Sequence, residues 1–551
     1  MARLSERLQG ANGPMKRNPT GRICFVAGIC LLLCFLLFDI VAVGRQPSWQ
    51  DEIFVVSTGW SMARSHPPIM SVMAQYPRTD SPIRFYGPVS FEADALLIRL
   101  FGLSVVAWRL ACLTGVILTL LFSVALVKLG GGDKWAQLLT ALIIGLAESL
   151  VIMLPGRWDA VTSALFLCGL LLLLRGAHFG GRALLWRATL AGVFLGFALG
   201  STPRSLTLLL AALAAALVVG LWFRGPRKGL LLGSAVMSIT AVLVQTLLLL
   251  PWGLNTLSWY AYVKQATKED SINATSVAGN GVLDLHVHYH KTVLLLLLLL
   301  LSIGALGAVA QCKLRTNQSV IPLKIFLTLF AAFNLSLMVL LLAQALGQSA
   351  YWLPPATIAA MCWFDWGLFK ARGRRTILGA LVAACLVVLL FSYVQQITAI
   401  VLTWDRRSNE DLTAFVRRTV NKGAAVYGPI DGYFYPVELA GANYLYLSEH
   451  ARAGRFSDPH ASISSKLEEE ICAHPTYAIW PNPDPAHQPE EESMPEVLRE
   501  RLLPKAGEFT RPPLSPWREK VLNNMGPIGG KYGFPDATIY PLRSLDNCGK
   551  D

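Results

Sequence analysis

TVLLLLLLLLSIGALGAVAQ, residues 292–311, is an apolar run with eight consecutive leucines. A helix rises about 1.5 Å per residue, so twenty such residues span about 30 Å, the thickness of the hydrocarbon core of a bilayer. The whole 551-residue chain has the same character, because 54% of its residues are hydrophobic, 15% are charged and its mean hydropathy is +0.47. This composition excludes an ordinary soluble enzyme and predicts a polytopic α-helical membrane protein.

Ten further apolar runs bring the expected number of membrane spans to about eleven. They lie at about 23–43, 105–127, 136–154, 160–174, 188–203, 205–223, 230–250, 325–343, 351–369 and 376–402. The first run is long, and its flank DIVAVGRQP (39–47) lacks a small-residue cleavage pattern. We therefore interpret it as a retained anchor and not as a secretion signal.

Lysine and arginine fix the expected orientation of the spans. They cluster at the N-terminus and in alternate connections, at 128–134, 175–187, 224–228, 313–324 and 370–375. Because short basic loops remain in the cytoplasm, we expect a cytoplasmic N-terminus in the inner (plasma) membrane. An odd number of spans then places the first long loop, residues 44–104, and the C-terminal region outside.

The net charge and the composition of the chain change after residue 402. Residues 403–551 carry 17 lysines and arginines against 21 acids, a net charge of −4, which leaves +17 for residues 1–402. The positive excess therefore follows membrane topology and gives no reason to propose nucleic-acid binding. We expect a transmembrane domain at 1–402 and an extracytoplasmic soluble α/β domain at 403–551.

The C-terminal part has its own secondary-structure signals. DLTAFVRRTV (411–420) predicts an amphipathic helix, and AAVYGPI (424–430), TYAIWPN (476–482) and ATIYPLR (537–543) predict strands. The region contains two cysteines, Cys472 and Cys548. An extracytoplasmic disulfide and two free thiols both remain open.

The first outer loop contains adjacent carboxylates in SWQDEIF (48–54), followed by an amphipathic stretch in FYGPVSFEADALLIRLFG (85–102). Asp51 and Glu52 face different ways if helical, so one can act chemically while the other binds a cation or caps a helix. Partial desolvation at the membrane surface raises a carboxyl pKa toward the range of a general base. The alternative is a solvated acidic turn beside the membrane.

Other ionisable residues lie near the same surface. GRWDAVTSA (156–164) places Arg157 and Asp159 at the next outer turn, either as part of a site or as an ion pair that fixes a helix end. From their similar depth on successive spans we expect Arg109 to pair with Glu148.

Alternating histidines occur in LDLHVHYHK (283–291). In an extended chain His286, His288 and His290 share one face, which suits a divalent metal ion. Interfacial histidines that contact substrate are the alternative.

Four stretches carry a resemblance to a known family: WQDE (49–52), FYGPVSF (85–91), LLIRLFGLSVVAWRLACLTGV (96–116) and GRWDAVTSALFLCGLLLLLRG (156–176). Over residues 23–180 the chain resembles the GT-C superfamily of membrane glycosyltransferases, in the branch of protein O-mannosyltransferases and lipid A aminoarabinose transferases. The resemblance implies inverting transfer of a sugar from a polyprenyl-phosphate carrier to a lipid, glycan or protein acceptor at the outer face. It implies Asp51 as general base, with Glu52 supporting it or a cation.

A leaving polyprenyl phosphate needs cations near its developing charge. Together with Asp159, the candidates on the outer side are Arg157, Arg204, Lys264, Lys268 and Lys291. SAYWLPPA (349–356) resembles the arginine-tyrosine motif of the family, with Tyr351 retained and Ala350 in place of the arginine. Each cation by itself also fits an interfacial anchor.

The competing classes are a lipid or glycan transporter or flippase and a non-catalytic scaffold. A secondary transporter is expected to show internal repeats and acidic or broken spans near the membrane centre. The sequence shows neither, and its ionisable residues cluster at the outer rim. We therefore expect a transferase, with a degenerate relative as the remaining alternative.

Overall fold

The computed structural model describes residues 19–45, 50–66, 68, 86–148, 157–179, 181–223, 227–253, 255–261, 282–314, 320–342, 349–365, 374–446, 476–481, 496–525, 533 and 536–543. For some of them, including Asp51, Glu148 and residues 282–293, the backbone alone is described. Cys472 and Cys548, for which the sequence leaves a disulfide and two free thiols open, lie outside these residues.

All eleven predicted spans contain a helix. In chain order these helices are α1 (Pro19–Ala42), α4 (Val105–Leu129), α5 (Lys134–Glu148), α6 (Asp159–Phe179), α7 (Gly181–Ser201), α8 (Ser205–Trp222), α9 (Arg227–Leu249), α10 (Val282–Leu314), α11 (Ile321–Leu342), α12 (Ser349–Trp363) and α13 (Arg374–Leu402). Within the described residues, nine are long and apolar enough to cross a membrane. The described parts of the other two, α5 and α12, have 15 residues each, fewer than a full crossing requires. The chain is a multi-pass membrane protein.

Small residues allow some of these helices to approach closely. A Cβ atom at Gly192 of α7 would lie 2.5 Å from Thr240 Cβ of α9, and one at Gly196 would lie 2.5 Å from Val244 Cβ. Glycine at such contacts lets backbones meet where lipid supplies no hydrophobic driving force. α7 and α9 therefore pack as a tight pair beside α6.

Two helices lie in the first long loop, residues 44–104: α2 (Gln50–Ala63) and α3 (Pro88–Phe101). α3 confirms the helix predicted at the end of the loop. The two helices pack against each other, and Gly59 of α2 leaves space for Asp94 of α3, whose Oδ2 would lie 2.1 Å from a Cβ at position 59.

The C-terminal region contains a five-stranded sheet in the order β2-β1-β3-β5-β4. Its strands are β1 (Ala425–Gly428), β2 (Asn443–Tyr446), β3 (Thr476–Trp480), β4 (Gly507–Phe509) and β5 (Ala537–Pro541). β1 pairs in parallel with β2 and β3, whereas β5 pairs antiparallel with β3 and β4. β1, β3 and β5 confirm the three predicted strands.

Helices α14 (Glu410–Thr419), α15 (Phe434–Ala440), α16 (Glu496–Arg499) and α17 (Pro516–Asn524) accompany the sheet. α14 confirms the predicted amphipathic helix, since Leu412, Phe415 and Val416 are buried while Arg417 and Arg418 are exposed. This spacing places the apolar residues on one helical face.

The C-terminal region packs onto the first long loop. One hydrophobic cluster contains Ile53 and Val56 of α2 together with Phe434, Tyr435 and Tyr444 of the C-terminal region. The loop that carries the paired carboxylates therefore shares a core with residues almost 400 positions away in sequence.

Candidate active site

The paired carboxylates occupy the first turn of α2. Asp51 lies in the helix, and its side chain is outside the described residues. Glu52 is fully buried, at 0% exposure. The surroundings of the Glu52 side chain are therefore described, whereas those of the Asp51 side chain are not.

Glu52 binds Arg109 of α4 in a two-pronged ion pair. Arg109 donates from Nε to Oε1 at 2.8 Å and from Nη2 to Oε2 at 2.7 Å. Its Nη1 donates to the carbonyl oxygen of Val43 at 3.0 Å. Glu52 therefore binds a cation, one of the two roles expected for the second acid. The sequence predicts Glu148 as the partner of Arg109, but Arg109 binds Glu52 instead. The side chain of Glu148 is outside the described residues.

The C-terminal region contacts α2 at two points. The Tyr435 hydroxyl donates to Glu52 Oε1 at 3.2 Å. Eight residues after Glu52, Trp60 Nε1 donates to Glu438 Oε2 at 2.9 Å, and Arg64 Nη2 lies 3.7 Å from the same oxygen. Burial raises the pKa of Glu438, and its hydrogen-bond donors partly offset that rise. These contacts fix the helix that carries Asp51 along its length.

Asp94 is a buried acid that sequence reasoning missed. It is 1% exposed, and within the described residues neither of its carboxyl oxygens has a hydrogen-bond partner. Burial and then the nearby charge of Glu52 raise its pKa well above the usual range. The buried site therefore favours the neutral carboxyl form of Asp94 over the carboxylate.

A second cluster contains four of the predicted site residues: Asp159, at the start of α6, and three residues around it. Arg157 Nε lies 2.7 Å from Asp159 Oδ2, and Arg204 Nη1 lies 3.8 Å from Oδ1. The Tyr351 hydroxyl donates to Oδ1 at 2.5 Å. Asp159 is 6% exposed in its side chain, whereas the two arginines are 15% and 14% exposed. Two part-accessible cations thus lie beside one buried acid, and the formal charges of these three residues sum to +1.

Local sequence explains how Arg204 and Tyr351 reach this cluster. The turn before α8 is held by Ser205, whose hydroxyl donates to Thr202 O at 2.6 Å and to Ala198 O at 3.0 Å. In α12, Pro355 has no N–H to donate to the carbonyl of Tyr351 four residues earlier. That carbonyl instead accepts from Asn334 Nδ2 at 2.9 Å.

The two clusters are neighbours. Trp108, next to Arg109, stacks on Trp158, which lies between Arg157 and Asp159, with ring centroids 5.1 Å apart and planes 13° apart. The first long loop is also joined to α7, because the N–H of Gly87, directly before α3, donates to Ser201 O at 2.7 Å.

That junction requires glycine. A Cβ at Gly87 would lie 2.2 Å from the carbonyl oxygen of Gly200. The close approach holds Tyr86 and Pro88 beside the turn that carries Arg204. The Glu52–Arg109 pair and the Asp159 cluster therefore lie on one rim of the bundle.

The remaining predicted residues are not placed in this site. Lys264 and Lys268 lie outside the described residues, and of Lys291 only the backbone is described, in α10. The extended conformation assumed for His286, His288 and His290 is wrong, because residues 282–314 are helical. In a helix, positions 286 and 290 share a face that position 288 does not. A metal ion there stays a prediction.

The helical bundle and the C-terminal sheet give a multi-pass membrane protein with a GT-C-like fold. ArnT from Cupriavidus metallidurans bound to undecaprenyl phosphate is similar over 96% of this chain and 99% of that chain, with a TM-score of 0.51 and 13% identity. The apo state of the same protein gives a TM-score of 0.42 at 13% identity, over 95% and 98% of the two chains.

A second solved protein is similar over a smaller share. The archaeal oligosaccharyltransferase AglB from Archaeoglobus fulgidus, in complex with an inhibitory peptide and a dolichol-phosphate, matches 82% of this chain and 69% of that chain, with a TM-score of 0.46 and 12% identity. No protein-family model and no curated protein sequence matches the chain.

Proposed function

We propose that the protein is an inverting glycosyltransferase that moves a sugar from a polyprenyl-phosphate carrier to a lipid, glycan or protein acceptor at the outer face of the membrane. The observation that carries the proposal is the pair of part-exposed arginines around Asp159, close to the helix of Asp51. The likeness of the fold to ArnT bound to undecaprenyl phosphate supports a carrier of this kind.

In this mechanism Asp51 is the general base. Its carboxylate accepts the proton of the acceptor hydroxyl while that oxygen attacks the anomeric carbon on the face opposite the phosphate. The bond between the anomeric carbon and the phosphate oxygen breaks, and the phosphate leaves with the electron pair. Attack from the opposite face inverts the anomeric configuration. Glu52 acts through Arg109, because this buried pair sets the position of α2.

Arg157 and Arg204 stabilise the leaving phosphate in this proposal. Charged hydrogen bonds from guanidinium groups suit phosphate oxygens and strengthen as negative charge develops on them. Asp159 keeps both arginines in place, and Tyr351 fixes Asp159 in turn. Two arginines beside a single carboxylate favour an anionic headgroup, and Lys264, Lys268 and Lys291 reinforce this attraction in the proposal. A divalent metal ion at His286, His288 and His290 is an additional proposal.

The orientation belongs to the proposal as well. Basic alternate loops place the N-terminus in the cytoplasm and the C-terminal region outside the inner membrane. Both clusters then face the periplasmic or extracytoplasmic side, where no soluble nucleotide sugar is needed because the lipid carrier delivers the sugar.

The test is transfer of a radiolabelled sugar from polyprenyl-phosphate donors into membrane acceptors. Asp51→Asn removes the base, and loss of general-base catalysis lowers the rate by about 10²–10⁴-fold. Asp411→Asn is the matched control, because Asp411 is exposed on α14, and we expect it to retain full activity. Full turnover by Asp51→Asn would show that the base assignment is wrong. Lipid or glycan transport without any glycosyl product would instead favour the transporter class.

A further inference from the structure

Helix α17 of the C-terminal region runs beside the outer end of the membrane span α13. Arg518 Nη1 lies 3.3 Å from Asp405 Oδ2, just beyond the last residue of α13. At the other end, Gln395 Nε2 of α13 donates to the carbonyl oxygen of Met525 at 3.3 Å. Gln395 precedes Leu402, the end of α13, by seven residues. Met525 therefore reaches about 10 Å back along the span from its end.

The length of the span gives the depth of this contact. Its apolar part, Thr376–Leu402, has 27 residues and is about 40 Å long, against a hydrocarbon thickness of about 30 Å. If the excess is shared equally between the two ends, Gln395 lies about 5 Å inside the hydrocarbon edge. Water is scarce there, and the bond from Gln395 to Met525 satisfies a polar group on each side.

The exposed face of α17 suits that depth. Trp517 is 59% exposed and Val521 is 38% exposed, whereas Leu522 is fully buried. Trp517 and Val521 are four residues apart and lie on one face of α17. Met525, the half-buried residue directly after the helix, continues that line at the same spacing. We call these three residues the α17 stripe. Tryptophan prefers the headgroup level of a bilayer, and the exposed Lys520 beside it can extend its ammonium group to the headgroups.

The α17 stripe continues a lipid-facing surface. On α13, Phe391 is 65% exposed and Val394 is 53% exposed, and both lie within one turn of Gln395. Large apolar side chains on a membrane span are exposed to acyl chains. The bond from Gln395 to Met525 joins that surface to the end of the α17 stripe.

We propose that α17 is a membrane-surface anchor of the C-terminal region, with the α17 stripe lying in the headgroup and acyl boundary of the leaflet where α13 ends. Interfacial helices bury an apolar face about 5–10 Å into this boundary, which agrees with the depth of Gln395. The anchor fixes the height of the C-terminal region above the lipid, and this region in turn contacts α2 through Tyr435 and Glu438.

The experiment uses the full chain in phosphatidylcholine nanodiscs that contain a phosphatidylcholine with a diazirine near the top of its acyl chain. After photolysis, mass spectrometry locates the labelled residues, and labelling is expressed relative to that of α13 around Phe391. We expect the α17 stripe to be labelled at a level comparable to α13. The exposed face of α14, in the same region of the chain, is the control and should be labelled at least several-fold less.

The variant Trp517→Ser/Val521→Ser should lower labelling of α17 several-fold while that of α13 is unchanged, because α13 reports an intact bundle. Labelling of α17 at the level of α14 in the wild type would overturn the proposal. Cross-links from α17 to a second copy of the chain, in place of lipid labelling, would assign the face to a protein contact and would also overturn it.

Discussion

The buried pair of Glu52 and Arg109 gives a prediction whose size follows from the structure. Arg109 is 2% exposed and Glu52 is 0% exposed, and two bonds of 2.8 and 2.7 Å join them. Arg109→Met leaves the Glu52 charge buried without its cation. Unpairing a buried charge costs about 3–5 kcal/mol, and loss of the bond to Val43 adds about 1 kcal/mol.

Glu52→Gln should also destabilise the fold, by about 3 kcal/mol, because it leaves the Arg109 charge buried against a neutral amide. The double variant Glu52→Gln/Arg109→Met leaves no charge unpaired. Its cost should therefore fall short of the sum of the single costs by at least about 2 kcal/mol. Each variant should lower transferase activity as well, since the pair positions α2.

The assay is equilibrium unfolding in mild detergent, followed by tryptophan fluorescence. Arg99→Met is the matched control, because Arg99 is exposed on α3 and donates one hydrogen bond, to Met62 O. We expect it to cost no more than about 1 kcal/mol. Additive effects of the two single substitutions, or an Arg109→Met protein as stable as the control, would refute the inference that the two charges depend on each other.

Two further substitutions test the site. The raised pKa of Asp94 means that the folded protein binds one more proton than the unfolded chain above about pH 4, so wild-type stability falls as the pH rises toward the folded pKa. Asp94→Asn does not titrate, so its stability relative to wild type should rise with pH between the unfolded and the folded pKa of Asp94, by at most about 1.4 kcal/mol per pH unit, measured from unfolding at a series of pH values above about 4; a stability difference that does not change with pH would count against a raised pKa of Asp94. Tyr351→Phe removes a hydrogen bond to buried Asp159 at a cost of about 1–3 kcal/mol, and should weaken undecaprenyl phosphate binding to nanodisc-embedded protein; wild-type affinity together with wild-type stability would show that Tyr351 does not hold the cluster.

The secondary structure was predictable where its cause is local. Runs of about twenty apolar residues predict spans because the bilayer sets their length, and TYAIW and ATIYP predict β3 and β5 through their β-branched and aromatic residues. β2 and β4 were missed. NYLY has four residues and GEF has three, and neither shows alternating apolar and polar residues. They form strands because β1 and β5 each have a free edge with which they pair.

The Asp159 cluster was predictable in outline, since counting spans places Arg157, Arg204 and Tyr351 at one membrane surface. The pairing of Arg109 was not predictable from depth alone. It depends on how α4 is rotated and on α2 entering the bundle, and hydropathy encodes neither. Asp94 was missed because an acid within an amphipathic helix is expected to face solvent.

The central claim is that a proton-accepting side chain and a lipid phosphate meet at the outer rim of the bundle. A density map of the full chain with bound undecaprenyl phosphate tests it most directly. We predict the phosphate within hydrogen-bonding distance of the Arg157 and Arg204 guanidinium groups, in a cavity that is open to the acyl chains and that also contains the Asp51 carboxylate. A phosphate bound elsewhere, or Asp51 directed into bulk solvent away from any such cavity, would contradict the claim.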